Sequence, residues 1–288
     1  MRLLGFLGRL FRKRTQDWKK LTQTLIGSPD PKARWEAAEA LVGSPAEPEL
    51  LEALARALGD DHPFVRWKAG EALLSIGGEE VIRLLLELLN RRDSVFRMEA
   101  ARLLGKFKDS RAVESLSRAL RSKSELVRWS AAEGLLDIGD EEAINCLKKF
   151  TNDPAWGVRR AVALGLGKGA IPKEEALPLL AELAKDSHPT VRSAAARAMG
   201  NLRAPDAEPA LVTLLRDPHP QVRAEAASAL GRIGGKEALA SLGNLLEDQE
   251  MVFGETIASR VRKAIGLIKR RMLLAKLPGV GKRFSSFS

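Results

Sequence analysis

Three histidines and one cysteine are the side chains of this 288-residue chain best suited to metal or nucleophilic chemistry. His62 stands in HPFVRW beside Arg66 and Trp67, His188 in HPTVRS and His219 in HPQVRA. A catalytic metal needs several ligands converging on bonds of ~2 Å. These histidines fall once per repeated segment, and neighbouring packed helices stand about 10 Å apart, so they cannot share an ion. They read as loop and cap residues, and neither a metal nor a cofactor is expected. Cys146, in AINCLKKF, occupies an apolar helical position and reads as a small hydrophobe, not a nucleophile. No Ser-His-Asp set or isolated carboxylate pair offers acid–base or acyl-transfer chemistry, so no catalytic residue is expected.

Two glycine motifs fail on context. GLGKGA at 165–170 has the spacing of a dinucleotide loop but ends a helical segment with no strand before it. PGVGKRF at 278–284 contains Gly281-Lys282 but lacks the earlier glycine and the following Ser/Thr of a phosphate loop.

The elements behind these residues are repeats. HPFVRWKAGEALLSIGG returns as SVFRMEAARLLGKFKD, ELVRWSAAEGLLDIGD, AWGVRRAVALGLGKG, HPTVRSAAARAMGNL and HPQVRAEAASALGRIGG, with PKARWEAAEALVG as an earlier copy. Their arginines are Arg34, Arg66, Arg97, Arg128, Arg159, Arg192 and Arg223, at intervals of 32, 31, 31, 31, 33 and 31. In each copy the apolar positions make one helical stripe, as Val65, Ala69, Leu73 and Ile76 do. Asp, Ser and Pro precede the stripe and start a helix. Glycine follows it, as at Gly77, Gly105, Gly139 and Gly234, where a left-handed cap is expected. A second apolar helix pattern comes next, for example EEVIRLLLELL. One helix pair cannot bury its own apolar faces, so the pairs must stack. About eight pairs are expected, with a basic amphipathic segment over 1–15, repeats over 16–249, a capping helix over 250–276 and a flexible basic tail over 277–288.

The D-x-x-P-x-V-R-x-x-A-A-x-A-L-G pattern resembles the HEAT repeat, specifically the short class of the phycobilisome lyases, and spans about 17–270. The resemblance implies an all-α fold, a right-handed α-α superhelix. It also implies a ladder, each arginine reaching an aspartate in a neighbouring turn. Asp60, Asp153, Asp186 and Asp217 lie six residues before four of the arginines and are the candidate acceptors.

The residue after each arginine points about 200° away from the buried valine. Since second helices line the concave side in this family, that row is expected to face the groove. Its first half pairs Trp35 with Glu39, Trp67 with Glu71, Met98 with Arg102 and Trp129 with Glu133. Aromatics beside carboxylates suit a cationic or amphipathic protein segment and repel phosphate, which disfavours nucleic acid as a partner.

The formal charge of +10 is concentrated at the ends: residues 1–20 carry +6, residues 256–288 carry +9, and the body is net negative. Leu3, Phe6, Leu7, Leu10 and Phe11 form one apolar face flanked by arginines, a pattern suited to an anionic membrane surface or a partner groove. No apolar run is long enough to span a bilayer, and one cysteine fits a reducing compartment. A cytoplasmic location, at or near a membrane surface, follows. The expected function is a non-catalytic adaptor holding a protein partner in its groove. The alternatives implied by the resemblance are a phycobilin lyase-like chromophore protein and, third, a HEAT-like DNA glycosylase.

Overall fold

The computed structural model describes residues 18–275. They form an all-α repeat fold in two compact units, one ending at Ile138 and one beginning at Gly139. The first unit contains α1 (residues 18–27), α2 (Pro31–Ala40), α3 (Pro48–Ala57), α4 (Pro63–Ile76), α5 (Gly78–Leu89), α6 (Ser94–Phe107), α7 (Val113–Ala119) and α8 (Glu125–Ile138). The second contains α9 (Glu141–Leu147), α10 (Trp156–Leu166), α11 (Lys173–Leu183), α12 (Pro189–Leu202), α13 (Glu208–Leu214), α14 (Pro220–Ile233), α15 (Lys236–Gly243) and α16 (Ile257–Ala275). Each unit is thus four helix pairs. The basic segment over 1–15, with Leu3, Phe6, Leu7, Leu10 and Phe11, and the tail over 277–288 lie outside the described residues.

Helix starts follow from local chemistry. Proline occupies the first turn of α2, α3, α4, α12 and α14, where its missing N–H costs nothing. Asp30 caps α2 by accepting from Lys32 N at 2.9 Å, and Asp93 caps α6 by accepting from Val95 N at 2.7 Å. The even-numbered helices pack on one another within each unit, and all of them except α16 carry a repeat arginine. Val65, Val127, Val158, Val191 and Val222 are fully buried in this layer.

The layer is close because its contacts are small. A Cβ built on Gly105 would lie 2.5 Å from the Cα of Gly134, and one on Gly200 would lie 2.7 Å from the Cβ of Ala229. Gly105 therefore serves helix approach. The left-handed residue that ends α6 is Lys108, and the one that ends α12 is Arg203. Gly234 is also not left-handed, whereas Gly77 and Gly139 take positive φ. The capping helix begins at Ile257, later than the apolar pattern suggests. Before it, β1 (Met251–Val252) pairs antiparallel with β2 (Glu255–Thr256) around Phe253 and Gly254, both at positive φ. That is the backbone a tight hairpin requires.

The repeat arginines join consecutive turns. Arg192 donates from Nη1 to the carbonyl oxygens of Asp186 and Ser187 in its own turn, at 2.8 and 3.1 Å. Its Nε and Nη2 grip the Asp217 carboxylate of the next turn at 2.6 and 2.9 Å. Asp217 in turn accepts from His219 N at 2.8 Å, fixing the start of α14. The same two-turn grip joins Arg34 to Asp60 and Arg159 to Asp186. Arg223 closes the series on Asp248, at 2.9 Å. An arginine's own upstream aspartate thus gives it a carbonyl, while that aspartate's carboxylate serves the preceding arginine; Asp186, for example, offers Arg192 its carbonyl at 2.8 Å and takes Arg159 on its carboxylate at 2.6 and 2.8 Å.

In the first unit the series is interrupted. The position that would receive Arg66 is Arg91, whose guanidinium lies 4.9 Å over the Phe96 ring instead. The position that would receive Arg97 is Ser122. Arg128 makes its own-turn bond, to Ser122 O at 3.1 Å.

Burial pushes the carboxyls of Asp60, Asp186 and Asp217 up, but the arginine bond, the histidine backbone N–H and the arginine charge together hold each below the usual aspartate range. The folded chain therefore binds fewer protons than the unfolded chain near pH 4, and this stabilisation is lost as the pH falls through the folded pKa. Asp217→Ala should cost about 2–4 kcal/mol in urea unfolding at pH 7, because it leaves Arg192 covered and unpaired. The variant should also lose less stability than the parent between about pH 5 and pH 3. Gly105→Ala should cost about 1–3 kcal/mol in the same assay, since backbone must yield to the new methyl.

Candidate functional site

The exposed side of the arginine-bearing helices in the first unit carries an apolar row. Trp67 is 46% and Trp129 37% exposed, and Trp35 and Met98 are half-buried. One helical turn earlier, Phe64 and Leu126 are 57% and 55% exposed. Phe64 and Trp67 lie 6.1 Å apart between ring centroids, tilted by 57°, and Phe64 stacks on His62 at 5.7 Å. Large apolar side chains held in the same register on helices α4 and α8 form a surface with the composition of an interface core.

The carboxylates beside this row are engaged. Lys68 reaches from α4 to Glu39 of α2 at 2.7 Å and to Glu71 at 3.0 Å, and its ammonium stands 4.6 Å above the Trp67 ring. The bond to Glu39, and then that to Glu71, hold the lysine pKa above its ordinary value. The Lys68 side chain is only 15% exposed, while Glu39 and Glu71 are 52% and 39% exposed. In α6 the pattern changes: buried Glu99 accepts from Arg102 Nε and Nη2 at 2.9 and 2.8 Å, and lies 3.5 Å from Arg66 Nε. Glu99 thus faces the arginine left without its aspartate by Arg91. In α8, Trp129 Nε1 donates to Glu133 at 3.4 Å.

Sequence reasoning placed Trp35, Glu39, Trp67, Glu71, Met98, Arg102, Trp129 and Glu133 together, and all lie on α2, α4, α6 and α8 of one unit. It missed Lys68, Phe64, Leu126 and Glu99. Phe64 and Leu126 stand three residues before Trp67 and Trp129, a spacing that shares a helix face and was legible. Lys68 was hidden because its neighbours come partly from the preceding repeat.

The histidines start helices: His62 for α4, His188 for α12 and His219 for α14. His188 also stacks flat on Trp156, with centroids 4.4 Å apart and planes within 3°. Among the described residues no group of three or more His, Cys, Asp or Glu could hold a metal ion. Nor is any helix among them long and apolar enough to cross a membrane.

The model of the HEAT repeats matches residues 18–101, 82–167, 147–212 and 176–252. The chain belongs to the HEAT-repeat family. The Escherichia coli protein YibA shares this fold, with a TM-score of 0.62 and 22% identity over 86% of this chain and 89% of that one. In sequence, the chain is 33% identical over 98 residues to the deoxyhypusine hydroxylase of Cryptococcus neoformans var. neoformans, covering 33% of this chain and 27% of the relative. It is 30% identical over 95 residues to that of Mus musculus, covering 32% of each. The chain spans a quarter to a third of the length of the curated relatives it matches. These relatives are enzymes, and they overturn the expectation of a non-catalytic adaptor. Their shared name, that of a hydroxylase, gives no support to the bilin lyase or glycosylase alternatives.

Within this repeat family the exposed row and the buried charges have separable effects. Glu99→Ala should destabilise the chain by about 2–3 kcal/mol, because Arg66 and Arg102 lose a shared acceptor in a covered position. Trp67→Ala should change unfolding by no more than about 1 kcal/mol, as nearly half the residue already meets solvent. Equal losses in urea unfolding would contradict this division.

Proposed function

We propose that the exposed face of α2, α4, α6 and α8 recognises an amine-bearing side chain of a protein substrate, the class of group that the name of its hydroxylase relatives points to. The observation that carries this reading is the cluster of Trp67, Glu39 and Glu71 around an ammonium group, set beside exposed Phe64, Leu126 and Trp129. Aromatic faces and carboxylates attract a cation, and the flanking apolar residues accept its aliphatic stem and neighbours. The relatives' name supplies the class of group, since deoxyhypusine is an amine-bearing derivative of lysine. Nucleic acid fits poorly, because Glu39 and Glu71 would face its phosphates.

Hydroxylation also requires a centre that activates oxygen, in many enzymes iron held by two histidines and a carboxylate. The histidines described here begin separate helices, and the donor set among the described residues does not fit such a centre. These residues therefore supply no oxygen-transfer step.

A fluorescent amphipathic peptide with several lysines should bind the purified chain and lose affinity at least tenfold when its lysines are acetylated. Trp67→Ala/Trp129→Ala should weaken it by roughly 30-fold, the effect of losing about 2 kcal/mol from an interface anchor. Fluorescence anisotropy at fixed salt measures both. Equal affinity for the acetylated peptide would refute amine recognition.

A further inference from the structure

The ammonium group on the proposed recognition face belongs to the chain itself. Lys68 lies under the same constraints that an incoming amine would meet: two carboxylates from two successive arginine-bearing helices and the face of an indole. Its stem is largely covered, yet both glutamates remain substantially open to solvent. A lysine serving only as a link between α2 and α4 would need one carboxylate. Here a second carboxylate and a ring close around the same atom, on the part of the surface where Phe64 and Trp67 are most exposed.

We infer that Lys68 is an intramolecular occupant of an alkylammonium site formed by Glu39, Glu71 and Trp67, and that a substrate amine binds by displacing it. This rests on the reading of the face as an amine-recognition surface and adds what regulates it. The ion pairs lie at the surface, where an exchange of one ammonium for another conserves charge and hydrogen bonds. The energetic difference between bound and free states then comes from the apolar groups that accompany the substrate amine and not Lys68. An isolated amine must compete with a tethered one, whereas an amine flanked by apolar residues gains the contacts of Phe64 as well. Lys68 thus acts as a filter against free small amines. If Lys68 fills the site nine-tenths of the time, apparent affinity for any competing amine falls about tenfold.

The test is a titration of the full chain with n-butylammonium chloride, following the indole N–H of Trp67 by NMR. The signal is assigned through its loss in Trp67→Phe. Wild type should respond weakly. Lys68→Met, which keeps an apolar stem and removes the charge, should bind about tenfold more tightly, and Lys68→Gln should behave alike if the methionine variant folds poorly. Lys68→Arg should show no gain. Adding Glu39→Gln and Glu71→Gln to Lys68→Met should abolish it. Butylammonium binding equally to wild type and to both neutral variants would overturn the displacement model. In that case, acetylation-sensitive peptide binding that still needs Trp67 would leave the recognition reading intact, whereas its absence would remove both.

Discussion

An arginine that belongs to two turns at once is the constraint on which the stack depends. The first helix of each pair ends in a turn whose carbonyl oxygens have no helical partner, and the arginine-bearing helix that follows begins with backbone N–H groups in the same position. The guanidinium answers both needs: one nitrogen takes the carbonyls of its own turn, and the remaining edge takes the next turn's aspartate, which itself caps the next helix. Arg159, Arg192 and Arg223 run this arrangement three times in succession in the second unit. Because the fork is planar and its donors are fixed, the bond sets orientation as well as distance between pairs. A lysine could neutralise the charge but could not join four acceptors in one plane.

Much of the fold was legible because a stack repeats its requirements. The interval between arginines gives the size of a pair, and the valine beside five of the seven gives the buried side. What could not be read are features that break the period. Asp248 was invisible as a ladder residue because Gly254, not an arginine, stands six positions after it. Lys108 and Arg203 hold left-handed caps that sequence assigns to glycine, while Gly105 and Gly200 are needed inside helices so that backbones can meet. The hairpin before α16 is too short for an alternating pattern to show.

The candidate site was legible in part for the same reason. Trp35, Trp67, Met98 and Trp129 are visible because they vary at a position that otherwise repeats. The partners of the glutamates were not, since a single sequence does not say which repeat a long side chain will reach. Lys68 spans two repeats to Glu39, and Glu99 takes over when Arg91 replaces an aspartate. Chemistry that differs from copy to copy is therefore built from exchanges between neighbouring copies, while each copy's helical frame stays the same.

The interruption of the arginine series in the first unit has a mechanical consequence. A directional bond between turns resists shear, the sliding of one helix pair across the next; packed alanine, glycine and leucine surfaces resist separation but oppose sliding much less. In the second unit three consecutive grips stiffen every step from α10 to α16 against such motion. In the first unit the grip of Arg34 on Asp60 is followed by an arginine facing Glu99 at 3.5 Å and by one facing a serine position. The steps bearing Phe64, Met98 and Leu126 thus lack the directional bond present at every step from α10 to α16, and they rely on close packing, such as that of Gly105 on Gly134, to stay in register.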